Sequence, residues 1–465
     1  MFEVSTNLMN YKNDLQDLIN LFELKEQDNV FIDCDNNDKC VVKVVFNKIE
    51  QTYVYDAIKN EDELVFNREL KHNVKSSLYK MLSYSLNKKL AWGSLTGVRP
   101  ARLVYNNLEQ GKTLNESVEK VSKEYFLSKQ KTSLLHSVLK TQFGVIKNDN
   151  SICFYIHIPI CPTRCVYCSF VSTDFAHAHT YLNEYIIALK EEIEYSLKLI
   201  KEKSIQINSI YVGGGTPTVL SADQLTFLLE PLSLLRVPEF TVECGRADTI
   251  TKEKLQALAN LGVTRISINP QTFNDEVLKI IGRTHTAEQV CEAYKLAREF
   301  DFDINMDFIA GLPNDDEKSF KQSINKAIEL NPENITVHTL SIKNAGLLKY
   351  MKNATLPQAQ DVSKMLDYAY KKLQANGYIP YYLYRQKNML GFFENVGYCK
   401  QGKECLFNIY SMEDLKGIIA CGAGAISKKI HKQNNFIERV ANVKQISDYL
   451  TRNNEMLKRK DYLLT

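Results

Sequence analysis

The clearest chemical signal in the sequence comes from three cysteines, Cys161, Cys165 and Cys168, which lie within eight residues of one another. This density is typical of metal or iron–sulfur binding rather than of disulfide bonds. Because a [4Fe–4S] cluster usually takes four thiolates, three in one loop would leave one iron open to a ligand with an amine and a carboxylate. A zinc site completed by His177 or His179 is the alternative.

Short β-rich runs alternate with amphipathic helical patterns through the middle of the chain. The predicted strands are residues 154–160, 209–215, 240–245, 265–273, 303–312 and 334–342. Strands that alternate with helices predict an α/β fold with a parallel sheet and right-handed crossovers. Six such units are too few for a closed eight-fold barrel, so we expect an open, partial (β/α)6 barrel.

Several predicted strands end in glycine or polar residues. These are Gly213, Gly214, Gly215 and Thr216 after the second strand, and Glu243, Gln271 and Asp307 on later strands. The cysteine loop directly follows the first strand. Since α/β barrels build their active sites at the carboxyl ends of the strands, the pattern predicts a functional site at that rim.

The chain divides into three predicted domains, residues 1–150, 151–345 and 346–465. In the first, residues 41–46 and 52–57 alternate like a β-hairpin, and helical patterns cover residues 61–90 and 101–141. We therefore expect an α+β domain, to which the sequence assigns no role. The third is expected to be mainly helical. Its Cys399 and Cys405 fit either two buried thiols or a second metal site.

Composition excludes several classes of protein. Of 465 residues, 44% are hydrophobic, so a chain without a folded core is excluded, and a net charge of +3 gives no support for a general nucleic-acid or membrane-surface protein. The basic run at residues 428–432 fits a solvated surface. The N-terminus lacks a secretory pattern, and no run of 18 apolar residues occurs. We expect a cytoplasmic protein with no nucleic-acid partner and no membrane insertion.

The cysteine spacing after the first strand resembles that of the radical S-adenosylmethionine (SAM) superfamily, whose fold is a partial (β/α)6 barrel. More narrowly, the chain resembles the oxygen-independent coproporphyrinogen III oxidase family. The resemblance is carried by residues 154–161, 211–218, 265–271 and 305–313. Residues 95–100 and 394–398 look like a long-chain branch usually labelled coproporphyrinogen dehydrogenase.

The resemblance implies two cofactors, a [4Fe–4S] cluster and SAM, and a role for each motif. The three cysteines would hold the cluster, with Tyr155 and His157 as candidate catalytic residues beside it. The implied SAM contacts are Tyr155, Phe170, Gly213, Gly214, Gly215, Thr216, Glu243, Gln271, Arg283 and Asp307. Arginine suits a carboxylate, aspartate a ribose or amine, and phenylalanine the adenine ring. Glu243 would be costly to bury without such a ligand.

The function implied is oxidative decarboxylation of coproporphyrinogen III to protoporphyrinogen IX by a 5′-deoxyadenosyl radical. The partners would be a tetrapyrrole substrate and an unidentified electron donor, and Arg99, Arg102 and Arg164 are candidate clamps for the substrate carboxylates. Phe170 departs from the pattern, because the best-understood oxidases carry a cysteine there. Two alternatives therefore stay open, a haem-binding or haem-transfer protein and a radical methyltransferase that acts on a tetrapyrrole.

Overall fold

The computed structural model of the protein describes residues 4–60, 62–97, 99–147, 149–169, 173–342, 346–351, 355–431 and 436–464. The chain forms two compact units, one up to Ser137 and one from Val138 onward. Within the described ranges, no helix is both long and apolar enough to cross a membrane.

The first unit is an α+β structure. Its sheet has the order β1-β2-β3-β4, with strands Ser5–Thr6, Val30–Asn36, Lys39–Phe46 and Ile49–Asp56. Its helices α1 to α5 are Lys12–Asn20, Glu63–Ser85, Pro100–Leu108, Leu114–Tyr125 and Lys129–Val145, the last of which continues into the second unit. Alternate residues of β3 are buried, as the period of two along a strand requires when one face packs on a core. The predicted hairpin is therefore confirmed as β3 and β4.

The second unit is built on a sheet that has eleven strands among the described residues. Its six central strands confirm the predicted run, namely β5 (Ile152–Ile158), β8 (Ile207–Gly214), β9 (Glu239–Glu243), β10 (Arg265–Ser267), β11 (Asp303–Ala310) and β12 (Asn334–Thr339). They lie in chain order, each parallel to the next. A small separate sheet pairs β6 (Ile160–Cys161) with β7 (Thr173–Asp174). The core of the unit is thus the partial (β/α)6 arrangement.

Helices connect the parallel strands. They are α6 (Phe175–Ala178), α7 (Leu182–Glu202), α8 (Ala222–Ser233), α9 (Lys252–Asn260), α10 (Asp275–Ile280), α11 (Ala287–Ala297) and α12 (Glu317–Leu330). Ser221 and Thr286 start α8 and α11 with capping boxes, which satisfy backbone N–H groups that have no partner within the helix. The predicted fourth strand is shorter than expected, because Pro270 has no N–H for the ladder and Gln271 has a positive φ.

The region after residue 345 belongs to the same sheet. Helices α13 (Ala359–Ala375), α14 (Leu406–Glu413), α15 (Ile446–Thr451) and α16 (Asn453–Leu464) alternate with strands β13 (Ile379–Tyr384), β14 (Asn395–Cys399), β15 (Ile418–Cys421), β16 (Ile426–His431) and β17 (Phe436–Ala441). Strand β14 pairs antiparallel with β12, and β15 pairs parallel with β5. The helices were expected from the sequence, whereas the extension of the sheet beyond both edges of the six strands was not.

Candidate functional site

The cysteine loop is fixed to the turn that follows α10. Val166 N donates to Ile281 O over 3.1 Å, and Thr163 Oγ1 donates to Gly282 O over 3.0 Å. Gly282 has a φ of +80°, and a Cβ there would lie 3.2 Å from Arg164 O. A side chain at this glycine would press on the loop, so the turn and the loop are fitted to each other.

None of the three thiols is in a disulfide; Cys165 is buried, while Cys161 and Cys168 are partly exposed. Among the described residues, no three His, Cys, Asp or Glu side chains converge tightly enough to hold one metal ion. A [4Fe–4S] cluster does not need such convergence, because each thiolate binds a different iron. His177, a ligand in the zinc alternative, is exposed and its ring contacts Asp174 Oδ1 at 2.5 Å.

The glycines at the end of β8 pack so closely against other residues that a side chain would fit at none of them. A Cβ on Gly213 would lie 3.1 Å from Glu243 Cδ, one on Gly214 would lie 2.7 Å from the His157 ring, and one on Gly215 would lie 2.3 Å from Ile160 O. Thr216 Oγ1 lies 3.7 Å from Cys161 Sγ. Gly215 N and Thr216 N also donate to Ile158 O and Ile160 O, each over 2.7 Å. The backbone after β8 is therefore held directly beside the cysteine loop.

Glu243, at the end of β9, is mostly buried and lacks a cationic partner among the described residues. Tyr211 donates to its Oε1 over 2.6 Å. Burial raises the pKa of Glu243 to about 7, and the negative charge of Asp307 adds to this effect. A carboxylate in this setting favours a cationic ligand, so the position fits an amine such as that of SAM.

Gln271 combines backbone strain with an unpaired polar atom. It is buried at φ +68°, a conformation that residues other than glycine seldom adopt, and its side-chain oxygen has no hydrogen-bond partner in the described chain. Backbone bonds with its neighbour β11, from Gln271 N to Asp307 O and from Ile309 N to Gln271 O, hold it there. Strain and an unsatisfied buried acceptor together indicate a ligand contact.

Arg283 carries a buried charge that no carboxylate in the described residues neutralises. Its Nη1 donates to the carbonyls of Gly245 and Asn269 over 3.2 and 2.5 Å, and its Nη2 donates to the Tyr167 hydroxyl over 3.3 Å. Its Nε has no hydrogen-bond partner in the described part of the chain. A guanidinium that no carboxylate neutralises fits the carboxylate of a ligand.

Asp307 lies on β11 among hydrogen-bond donors. Asn305 Nδ2 donates to its Oδ1 over 2.8 Å, and His338 Nε2 lies 3.8 Å from its Oδ2. Burial disfavours the charged form, but His338, Asn305 and Thr336 hold the pKa of Asp307 below its usual value. This carboxylate is therefore ionised at neutral pH, unlike much of Glu243.

Tyr155 and His157, both on β5, form a hydrogen-bonded pair. The Tyr155 hydroxyl lies 3.0 Å from His157 Nδ1, and the Tyr155 ring stacks on Phe407 at 5.7 Å. Burial lowers the pKa of His157 to about 4 and raises that of Tyr155. Both side chains are therefore uncharged at neutral pH.

Strand register relates Tyr155, Glu243 and Asp307, which lie on strands of the central sheet. Tyr155 is opposite Tyr211, Glu243 is opposite Ser267, and Ser267 is opposite Asn305, which shares its face with Asp307.

Phe170 lies outside the described residues. Arg99 and Arg102 belong to the first unit, where Arg102 lies 3.5 Å from Glu109, and Arg164 is exposed on the cysteine loop. Cys405 Sγ contacts Glu239 Oε1 at 3.3 Å rather than a metal-ligand set.

Sequence reasoning missed several residues at this face, including Tyr211, Phe407, His338 and Tyr384. It also missed the turn at Gly422 and Gly424 after β15; a Cβ on Gly422 would lie 2.2 Å from His157 O, and one on Gly424 would lie 3.7 Å from its ring. A short apolar run that ends in two spaced glycines was the available signal for this turn. The aromatic residues carried no local signal, since their roles depend on strand pairing.

Comparisons with known proteins agree with this geometry. Residues 155–327 match the sequence profile of the Radical SAM superfamily. The chain is 36% identical over 393 residues to the oxygen-independent coproporphyrinogen-III oxidase-like protein HemZ of Bacillus subtilis, covering 82% of this chain and 78% of that one. It is 32% identical over 282 residues to the heme chaperone HemW of the same organism, covering 58% and 69%. The structure of Escherichia coli coproporphyrinogen III oxidase (HemN) superposes with a TM-score of 0.52 at 21% identity, covering 68% and 72%.

Proposed function

Because the chain belongs to the oxygen-independent coproporphyrinogen III oxidase family of the radical SAM superfamily, whose members use a [4Fe–4S] cluster and SAM, we propose that it decarboxylates coproporphyrinogen III oxidatively. Two propionate side chains would become vinyl groups, which gives protoporphyrinogen IX. Each step would release CO2, with one hydrogen atom passed to the 5′-deoxyadenosyl radical and one electron passed to an acceptor. An unidentified electron donor would reduce the cluster.

The observation that carries this proposal is the set of unsatisfied polar groups at the carboxyl ends of consecutive strands. We assign the SAM amine to Glu243, which has no cationic partner among the described residues. We assign the SAM carboxylate to Arg283, which no carboxylate of the described residues neutralises. Gln271 offers its unpaired oxygen to a donor on the same ligand. The three cysteines in the loop after β5 are assigned to the cluster. These charges are complementary to those of an amino-acid zwitterion.

The cluster and SAM, when bound, supply a radical that can remove a hydrogen atom from a propionate. The protein's part is placement and protection. Tyr155 and His157 present a pair that is uncharged at neutral pH and holds its own proton in a hydrogen bond. Such a pair lines the site without offering a charge or a readily lost proton to the substrate. Behind the pair, the rings of Phe407 and Tyr211 stack with their centroids 4.4 Å apart and exclude water.

The test is anaerobic incubation of the reconstituted full-length protein with coproporphyrinogen III, SAM and a strong one-electron reductant. Formation of protoporphyrinogen IX together with 5′-deoxyadenosine supports the proposal. SAM cleavage without a vinyl product would contradict it, and a methylated tetrapyrrole would indicate a methyltransferase.

A second candidate is a haem-binding or haem-transfer function. It is favoured by relatives named heme chaperone HemW, which are 31% and 32% identical to the chain, and by Phe170 in place of the cysteine of the oxidases. Stoichiometric haem binding without turnover of coproporphyrinogen III would favour this candidate over the first.

A further inference from the structure

Beyond the residues assigned to SAM, the open face of the sheet continues in a row of three side chains on β11, β12 and β13. His338 Nε2 lies 3.8 Å from Asp307 Oδ2, and His338 Nδ1 lies 3.4 Å from the Tyr384 hydroxyl. Strand register places them on the same face. Asp307 on β11 is opposite Thr336 on β12, which is two residues before His338. Tyr384 on β13 is opposite Asn395 on β14, and β14 lies between β12 and β13.

These side chains border an open space. The side chains of His338 and Asp307, on interior strands of the sheet, are 25% and 21% exposed. Tyr384, on the edge strand β13, is also partly exposed. The Tyr384 ring is held in place from behind by Tyr382, which stacks on it with centroids 6.2 Å apart. Gly397 makes room for the Tyr382 ring, since a Cβ on Gly397 would lie 1.9 Å from Tyr382 Cε1.

The hydroxyl of Tyr384 is the end of the row that is farthest from Asp307. It has one proton to donate, and its neighbour among the described residues is Nδ1 of His338. A carboxylate accepts a stronger, charge-assisted hydrogen bond than a ring nitrogen does. An anion that enters the open space would therefore capture this donor, while Asp307 holds the imidazole in place from the other side.

We propose that Tyr384 binds a propionate carboxylate of the tetrapyrrole and that His338 is the positioning residue that orients its hydroxyl. The inference rests on the proposed function and adds to it the part of the site that recognises the substrate. SAM already has Arg283 for its carboxylate, at the ends of β9 and β10.

The test measures binding of coproporphyrin III, the oxidised and fluorescent form of the substrate, and of its tetramethyl ester, which has no carboxylates. The full-length, cluster-reconstituted Tyr384→Phe variant should bind the acid about ten- to a hundred-fold more weakly than the wild type and the ester equally well. His338→Phe should show part of this loss, and His338→Gln, whose amide oxygen can accept from the Tyr384 hydroxyl, should restore it in part. Tyr368→Phe is the matched control, because its hydroxyl donates to Asn325 in the outer helices.

Equal weakening of acid and ester in Tyr384→Phe would overturn the proposal, as would unchanged affinity for both or failure of the wild type to bind coproporphyrin III. Loss of SAM affinity in Tyr384→Phe with tetrapyrrole affinity intact would also overturn it, by assigning the residue to the cofactor. If the wild type binds the acid through Tyr384 but releases no CO2, the proposed function fails while this inference stands.

Discussion

The two ends of the parallel strands differ in how the protein pairs their buried charged groups. At the amino ends, Arg265 donates to Glu239 over 2.7 Å, to Asn334 over 3.2 Å and to Asp303 over 3.3 Å. Glu239 also accepts from the backbone N–H groups of Leu406 and Phe407, at the start of α14. At the carboxyl ends, the described chain leaves the Gln271 oxygen and the Arg283 Nε unpaired and gives Glu243 no cation.

The difference separates stability from function. A buried charge is costly unless it is paired and hydrogen-bonded, and the amino ends meet that condition within the protein itself. The carboxyl ends meet it only when a ligand arrives, which agrees with the general division of α/β barrels into a stabilising face and a functional face. Substitutions at the amino ends should therefore change folding, and substitutions at the carboxyl ends should change binding.

The largest effect is expected at the cysteine loop. Cys161→Ala, Cys165→Ala or Cys168→Ala should abolish the visible absorption of the reconstituted cluster and all SAM cleavage, because each thiolate would hold its own iron. Cys291→Ala, on the outer helix α11, is the matched control and should retain both. Stoichiometric zinc without iron, even after reconstitution, would contradict the assignment of a cluster.

At the amino ends, Arg265→Met should lower the free energy of unfolding by about 3–5 kcal/mol, because Glu239 would be left buried with an uncompensated charge. Denaturant unfolding of the variant measures this loss. The double variant Glu239→Gln/Arg265→Met removes both charges and should recover a large part of it. If the double variant is no more stable than the single one, the unpaired charge is not the cause.

Glu243 should make the cofactor-free protein less stable as the pH rises. Its pKa in the folded protein is about 7, above the usual value of 4.5, so between these values the folded chain holds a proton that the unfolded chain has lost. Stability therefore falls through this window, by up to about 3 kcal/mol, and levels off above it. Glu243→Gln should match the wild type at pH 4 and be more stable at pH 8. Parallel pH profiles for the two proteins would contradict this.

Gln271→Gly should separate binding from folding. Glycine relieves the strain of the positive φ, worth about 1–2 kcal/mol, which offsets the loss of buried side-chain contacts. The free energy of unfolding should stay within about 1 kcal/mol of the wild type, while SAM affinity falls up to about ten-fold with the lost hydrogen bond. Calorimetric titration with SAM and a denaturation curve provide the two values. A variant that loses stability but keeps SAM affinity would place Gln271 with the structural residues.

The sequence was sufficient for the six central strands and for the fold, because each strand is a β-rich run bounded by turn residues. It also singled out Glu243 as a polar residue at a strand end, which the structure places last in β9. Asp307 and Gln271 were expected at strand ends too, but Asp307 lies inside β11 and Gln271 lies beyond the end of β10. It could not predict that Glu239 would accept from the start of α14, more than 160 residues later in the chain. Nor could it predict that Gly397 makes room for Tyr382, because such contacts depend on which strands become neighbours.

The smallest effect should come from Lys403, which shares a partner with Arg265. Its Nζ lies 2.6 Å from Asp303 Oδ1, a shorter contact than that of Arg265 with the same carboxylate, but its side chain is 44% exposed. Water already solvates such a pair, so Lys403→Met should cost at most about 1 kcal/mol of the free energy of unfolding. The bonds that Arg265 and Asn334 donate to its backbone carbonyl do not depend on the side chain and should persist. A loss as large as that of Arg265→Met would mean that the number of ion pairs at this end, rather than their burial, determines stability.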